Sequence, residues 1–199
     1  MATPYKAPLR DMQFVMHEVL NVEAHYQSIP AYAETNRELV DSVLEAGAQF
    51  AENELSPINR SGDEEGCHWN DGVVTTPKGF KEAYAKFVEL GFGALASPVE
   101  HGGQGLPPSL GIAMSEMTGT ANWSWSMYPG LSHGAINTVE AHGTPEQKDV
   151  YLTKMISGEW TGTMCLTESH AGSDLGIIRT KAEPKADGSY AITGTKIFI

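Results

Sequence analysis

Between Thr167 and Asp174 the chain gathers Thr167, Glu168, Ser169, His170, Ser173 and Asp174 around the small pair Ala171-Gly172. Hydroxyls and backbone amides in a loop of small residues can approach an anion closely, because no bulky side chain stands in the way. The same composition also describes a plain turn, and neither GxGxxG nor GxxxxGK[ST] is present. Downstream, residues 176–199 hold Arg179, Lys181, Lys185 and Lys196 against only Glu183 and Asp187. That local positive balance favours a small anionic ligand, although scattered cations on a strand pair also read as a solvated face. The adjacent Cys67-His68 lacks a second ligand cluster at zinc-type spacing, so no metal site is expected.

Bulk properties narrow the class. The 199 residues are 41% hydrophobic, enough for a real core, and the net charge of -12 repels phosphate backbones and anionic lipid surfaces. Nucleic acid is therefore not an expected partner. Two cysteines, a start without a signal-peptide core, and no apolar run near the roughly 20 residues of a membrane span point to a reduced, cytoplasmic setting.

Positioning those residues requires a helical body. Leu9, Met12, Val15, Met16, Val19 and Leu20 share one face at helical spacing, which predicts an amphipathic helix over Leu9 to Leu20. A second helix is expected from about Asn36 through Leu39, Val40, Val43, Leu44 and Phe50, ending near Ser56-Pro57. Residues 59–76 read as loop, and Thr76-Pro77 as the cap and first turn of a helix that Gly91 stops. Two long buried helices follow, over Leu110 to Met117 and Trp123 to Val139, and Thr144-Pro-Glu-Gln147 forms a capping box for another that ends near Gly158. Beyond it the pattern turns to strands: Thr161 to Glu168, then Arg179 to Pro184 and Tyr190 to Ile199 around the turn signal Asp187-Gly188.

Four ordered motifs carry a family resemblance. They are Cys165-Leu-Thr-Glu-x-x-Ala-Gly-Ser-Asp174, the Pro98 to Gly105 loop, His133-Gly134 followed by Gly143 to Lys148, and Gly194 to Ile199. Together they resemble the acyl-CoA dehydrogenase family over roughly residues 95 to 199. Tyr5 to Arg10, His170, Asp174-Leu-Gly176 and Lys196-Ile-Phe198 resemble its larger bacterial subgroup, which includes 3-methylthiopropanoyl-CoA dehydrogenases.

The resemblance implies a mainly α fold: an acyl-CoA dehydrogenase-like N-terminal helical bundle followed by the first strands of a truncated β-barrel domain. The expected division is a helical extension over 1–34, the helical domain over 35–159, and the start of the β-barrel domain over 160–199. It also implies FAD, with Met164, Cys165, Leu166 and Thr167 along the isoalloxazine ring. Ser173 would meet the pyrophosphate and the CoA arm, and Phe198, where many members place Trp, would cover the flavin face.

The implied reaction is α,β-dehydrogenation of an acyl-CoA, with electron-transfer flavoprotein as acceptor and a homodimer or homotetramer as the working form. The family's glutamate base is expected beyond Ile199, and motif position makes Glu168 structural. An acyl-CoA oxidase and a non-catalytic flavin-fold assembly protein are the alternatives.

Overall fold

The computed structural model describes residues 4–198, a bundle of helices followed by a small β unit. Helix α1 (Leu9–Gln13) runs into a π-helical turn over Phe14–Val19, marked by the Leu20 N–H bonding back to Val15 O at 2.9 Å. That wide turn changes the face expected of a regular helix. Met12, Met16 and His17 are buried, whereas Val15, Val19 and Leu20 rotate into the open beside Phe14. Helix α2 (Val22–Gln27) follows, with Tyr26 buried and its hydroxyl 2.6 Å from Ser109 Oγ.

Helix α3 (Arg37–Phe50) is capped by Asn36, whose side chain accepts from the Leu39 N–H at 3.0 Å. It does not stop at Ser56-Pro57. A second π-turn over Ala51–Leu55 leads directly into α4 (Ser56–Glu65), and Pro57 falls in the first turn of α4, where a missing N–H costs nothing. The first part of the stretch expected as loop, up to Glu65, is thus helix. Its remainder is a hairpin, β1 (His68–Asn70) against β2 (Val73–Thr75), closed by Asp71-Gly72 with φ of 47° and 82°.

Helix α5 (Phe80–Glu89) begins later than Thr76-Pro77 suggests, because the chain makes a turn in which Phe80 N–H bonds to Pro77 O. The Glu65 carboxylate fixes this turn by accepting from the Lys78 N–H at 3.1 Å. Gly91, in the left-handed region, ends the helix as expected. The Pro98 to Gly105 loop then folds back on residues 94–97 so tightly that a Cβ on Gly103 would lie 2.0 Å from the Ser97 carbonyl oxygen.

Helices α6 (Pro108–Ala121), α7 (Trp123–His142) and α8 (Pro145–Ile156) appear where apolar periodicity places them, and the Thr144–Gln147 capping box is complete. The main core lies between α3, α5, α6 and α7. Val40, Leu44, Leu55, Leu110 and Trp125 are fully enclosed there, and Phe50, Phe87, Phe92 and Trp125 meet edge-on or tilted with centroids 5.5–5.9 Å apart. A smaller cluster of Ala94, Ile136, Leu152 and Ile156 joins α8 to α7. No helix among the described residues is long and apolar enough to cross a membrane.

The hairpin at the carboxyl end forms as β3 (Lys181–Pro184) against β4 (Tyr190–Thr193). Its turn is longer than two residues: Gly188 N–H bonds to Lys185 O, and Lys185 N–H to Ser189 O. Thr161 to Glu168, expected as a strand, is extended but joins no sheet among the described residues, its one bridge being Glu168 with Ala171. Extended backbone becomes a strand only when a neighbour takes up its amides and carbonyls.

Candidate functional site

Helix α7 anchors the signature segment. Ser132, buried on α7, accepts a hydrogen bond from the Gly162 N–H at 3.1 Å, so Met164 onward starts from a fixed point on the bundle. From there the chain runs to Glu168 and reverses through Ser169-His170, with Glu168 and Ala171 exchanging both backbone hydrogen bonds at 2.9 and 3.0 Å.

Glu168 is the centre of the segment. It is buried, and its Oε1 accepts from the Thr180 N–H at 2.8 Å and the Lys196 ammonium at 2.9 Å, while Oε2 accepts from the Arg179 N–H at 2.9 Å. The Thr180 hydroxyl beside it, and then the Arg179 amide, hold its carboxyl well below the usual glutamate range. The Lys196 ammonium and the Thr180 amide add to that effect and overcome desolvation. One carboxylate therefore ties together the signature, the approach to β3 and the strand-like segment after β4.

The segment after β4 must come close for this to work. A Cβ on Gly194 would lie 2.0 Å from Thr180 Oγ1 and 2.8 Å from Thr180 Cα, so only glycine lets the two stretches touch. Lys196 Nζ also donates to Leu166 O at 3.0 Å, and the Ile197 N–H donates to Thr167 O at 3.0 Å. His170 has Nε2 3.2 Å from Ile177 O and 3.4 Å from Glu168 Oε2, which ties the reversal to the short 3-10 turn Leu175–Ile177.

Among the six residues singled out in the sequence, Leu166 and Thr167 are half-buried and are brought against the segment that carries Phe198. Met164, Cys165, Ser173 and Phe198 are exposed, Phe198 by 87%. The turn at Gly172 folds toward Thr167, a Cβ there falling 3.9 Å from Thr167 Cγ2, and Ser173 follows it. No hydrogen bond among the described residues joins Met164, Cys165 or Ser173 to the others.

The backbone groups left over are all of one kind. The carbonyls of Leu166 and Thr167 are both engaged, whereas no partner among the described residues takes the Leu166 N–H, the Thr167 N–H or the Thr167 hydroxyl. With each carbonyl already accepting a hydrogen bond, this strip therefore offers chiefly donors to whatever lies against it. Sequence reasoning missed Lys196, Thr180 and Arg179 as its supports. The available signal was the position of Lys196 inside the Gly194 to Ile199 motif, two residues before the aromatic.

A separate cavity of about 580 Å³ opens between α5, α6, α7 and α8. Its wall includes Phe87, Ile112, Met127, His133, Ile136 and Met155, and is mostly apolar, which suits hydrocarbon better than charge. None of the six sequence-predicted residues lines it.

A family model described as acyl-CoA dehydrogenase, N-terminal domain, matches residues 33–159. The chain is 42% identical over 195 residues to 3-methylmercaptopropionyl-CoA dehydrogenase of Ruegeria pomeroyi, covering 98% of this chain and 33% of that protein. It is 34% identical over 201 residues to a butyryl-CoA dehydrogenase of Syntrophomonas wolfei, covering 98% and 32%. Among solved structures, an acyl-CoA dehydrogenase complexed with FAD from Bacillus anthracis superposes with a TM-score of 0.64 at 24% identity, over 81% of this chain and 26% of that one, a likeness of fold. The chain spans about a third of the length of these curated relatives. The acyl-CoA dehydrogenase family is the family to which this chain belongs.

Proposed function

We propose that this chain supplies the flavin and thioester seat of an FAD-dependent acyl-CoA dehydrogenase that converts an acyl-CoA to the 2-enoyl-CoA. The observation that carries this reading is the donor-rich strip at Leu166 and Thr167. The polar edge of an isoalloxazine ring is rich in acceptors, its carbonyl oxygens and unprotonated ring nitrogens, and two amides and a hydroxyl on one extended strip match it. Bound there, FAD would supply the hydride acceptor.

The residues of the chain take their roles around that group. Met164, Cys165, Leu166 and Thr167 lie along the ring, with the Thr167 hydroxyl donating to its polar edge. Ser173, exposed beyond the Gly172 turn, offers its hydroxyl to the pyrophosphate and the CoA arm. Phe198, exposed next to the residue that bonds Thr167, covers the ring face. We place a helical extension at 1–34, the helical domain at 35–159 and the start of the β-barrel domain at 160–199. Acyl-CoA as substrate, electron-transfer flavoprotein as electron acceptor, a homodimer or homotetramer and a cytoplasmic setting complete the reading. Similarity to a 3-methylmercaptopropionyl-CoA dehydrogenase favours a thioether acyl group among the substrates to be tried first.

The full-length protein is expected to purify yellow and to lose its flavin colour anaerobically on addition of 3-methylthiopropanoyl-CoA or a medium-chain acyl-CoA. A colourless protein, or a yellow one bleached by no acyl-CoA, overturns the assignment. Peroxide release during turnover would instead identify an oxidase.

A further inference from the structure

We infer that Lys196 and Glu168 form a positioning pair that makes the Leu166–Thr167 strip selective for an acceptor-rich ligand edge. The inference deepens the reading of this segment as a flavin seat and rests on it.

Backbone carries donors and acceptors in equal number, so a bare extended strip has no preference between the edges of a planar ligand. Here both backbone acceptors are already engaged. Lys196 Nζ takes the Leu166 carbonyl at 3.0 Å, and the next residue along, Ile197, takes the Thr167 carbonyl at 3.0 Å. A long flexible ammonium side chain holds such a geometry only if something fixes its end. Glu168 does so at 2.9 Å, and is itself held by the Arg179 and Thr180 amides. The lysine side chain is 17% exposed and the glutamate 3%, so water competes poorly for either. The close approach required of Gly194 to Thr180 brings Lys196 within reach.

Loss of the Lys196 ammonium would free the Leu166 carbonyl and set an acceptor beside the ligand's own acceptors. A merely structural pair would change stability and leave the bound ligand's electronic state alone. A positioning pair changes what the flavin senses.

The experiment compares wild type, Lys196→Met and Lys196→Arg in the full-length protein, reading FAD affinity by titration into apoprotein and the visible spectrum of the bound flavin. Removing one charge-assisted hydrogen bond predicts a loss of FAD affinity of about tenfold or more in Lys196→Met, with a shifted visible band. Lys196→Arg, which keeps a charged donor, is expected to restore most of both. If Lys196→Met fails to fold, Lys196→Gln, which keeps an N–H without the charge, is expected to shift the band in the same direction with a smaller loss. Wild-type affinity and spectrum in a folded Met or Gln variant overturn the inference and leave the flavin assignment standing. Absence of FAD binding by wild type overturns both.

Discussion

Asn122 joins two parts of the scaffold on which the site depends, and its replacement by alanine has a cost that follows from the structure. The residue is 1% exposed. Its Oδ1 caps α7 by accepting from the Trp125 N–H at 3.0 Å, and its Nδ2 donates to Leu55 O at 3.3 Å, at the end of the π-turn that links α3 to α4. Losing the cap costs about 1 kcal/mol. Losing the Nδ2 hydrogen bond to the Leu55 carbonyl costs about 1 kcal/mol more, and the small void adds up to about 1 kcal/mol. Asn122→Ala should therefore destabilise by roughly 2–3 kcal/mol, read as a lower urea midpoint at unchanged slope by far-ultraviolet circular dichroism. Asn122→Ser keeps the cap and should lose about half as much. Asn122→Asp keeps the acceptor but turns a carboxylate toward the Leu55 carbonyl, so it should fare no better than alanine. An alanine variant within about 0.5 kcal/mol of wild type, or an aspartate variant as stable as wild type, would refute the view that this side chain serves both helices.

Two further outcomes follow from buried polar side chains. Glu168 has its carboxyl held below the ordinary glutamate value of about 4.3. Its contribution to stability is therefore complete above that value and fades as pH falls from there toward the folded-state value. Stability curves of wild type and Glu168→Gln should converge on acidification below about pH 4, and parallel curves would refute the linkage. His17, its side chain 1% exposed, lies with Nδ1 2.5 Å from Glu23 Oε1 and Nε2 2.9 Å from Asp41 Oδ1, between α2 and α3. His17→Leu leaves two partly exposed carboxylates facing an apolar side chain, a loss of about 1–3 kcal/mol. Limited proteolysis should then cut the segment before Asn36 faster than in wild type.

What the sequence disclosed and what it hid divide along physical lines. Helices α6, α7 and α8 were legible because their signals are local: apolar periodicity, the Thr144 capping box, and Gly158 where the chain leaves the last helix. The two π-turns were not, because a π-turn changes rotation without leaving a residue pattern. The expected burial of Val19 and Leu20 failed for that reason, and so did the expected stop at Pro57. The β1–β2 hairpin had a readable signal in Asp71-Gly72 that polar composition masked. In the candidate site, the signature itself was plain, but its supports come from residues 11 to 30 positions away, and periodicity carries no information about such contacts.

Glu168 makes the distinction between holding a reaction and performing it concrete. A general base needs a lone pair free to meet the substrate proton and an affinity for protons matched to the working pH. Glu168 suits neither requirement, since it is buried, both its oxygens already accept hydrogen bonds from the chain, and those bonds hold it ionised well below the usual range. Its carboxylate is occupied in fixing Lys196 and the two backbone stretches around it. Glu168→Gln in the full-length protein therefore has a signature different from that of a lost base. Replacement of a base lowers kcat by orders of magnitude and leaves flavin affinity and colour alone. Replacement of Glu168 should weaken FAD binding and shift the flavin spectrum, with kcat largely kept once FAD is saturating. Wild-type FAD binding together with a collapse of kcat would show that Glu168 takes the proton after all.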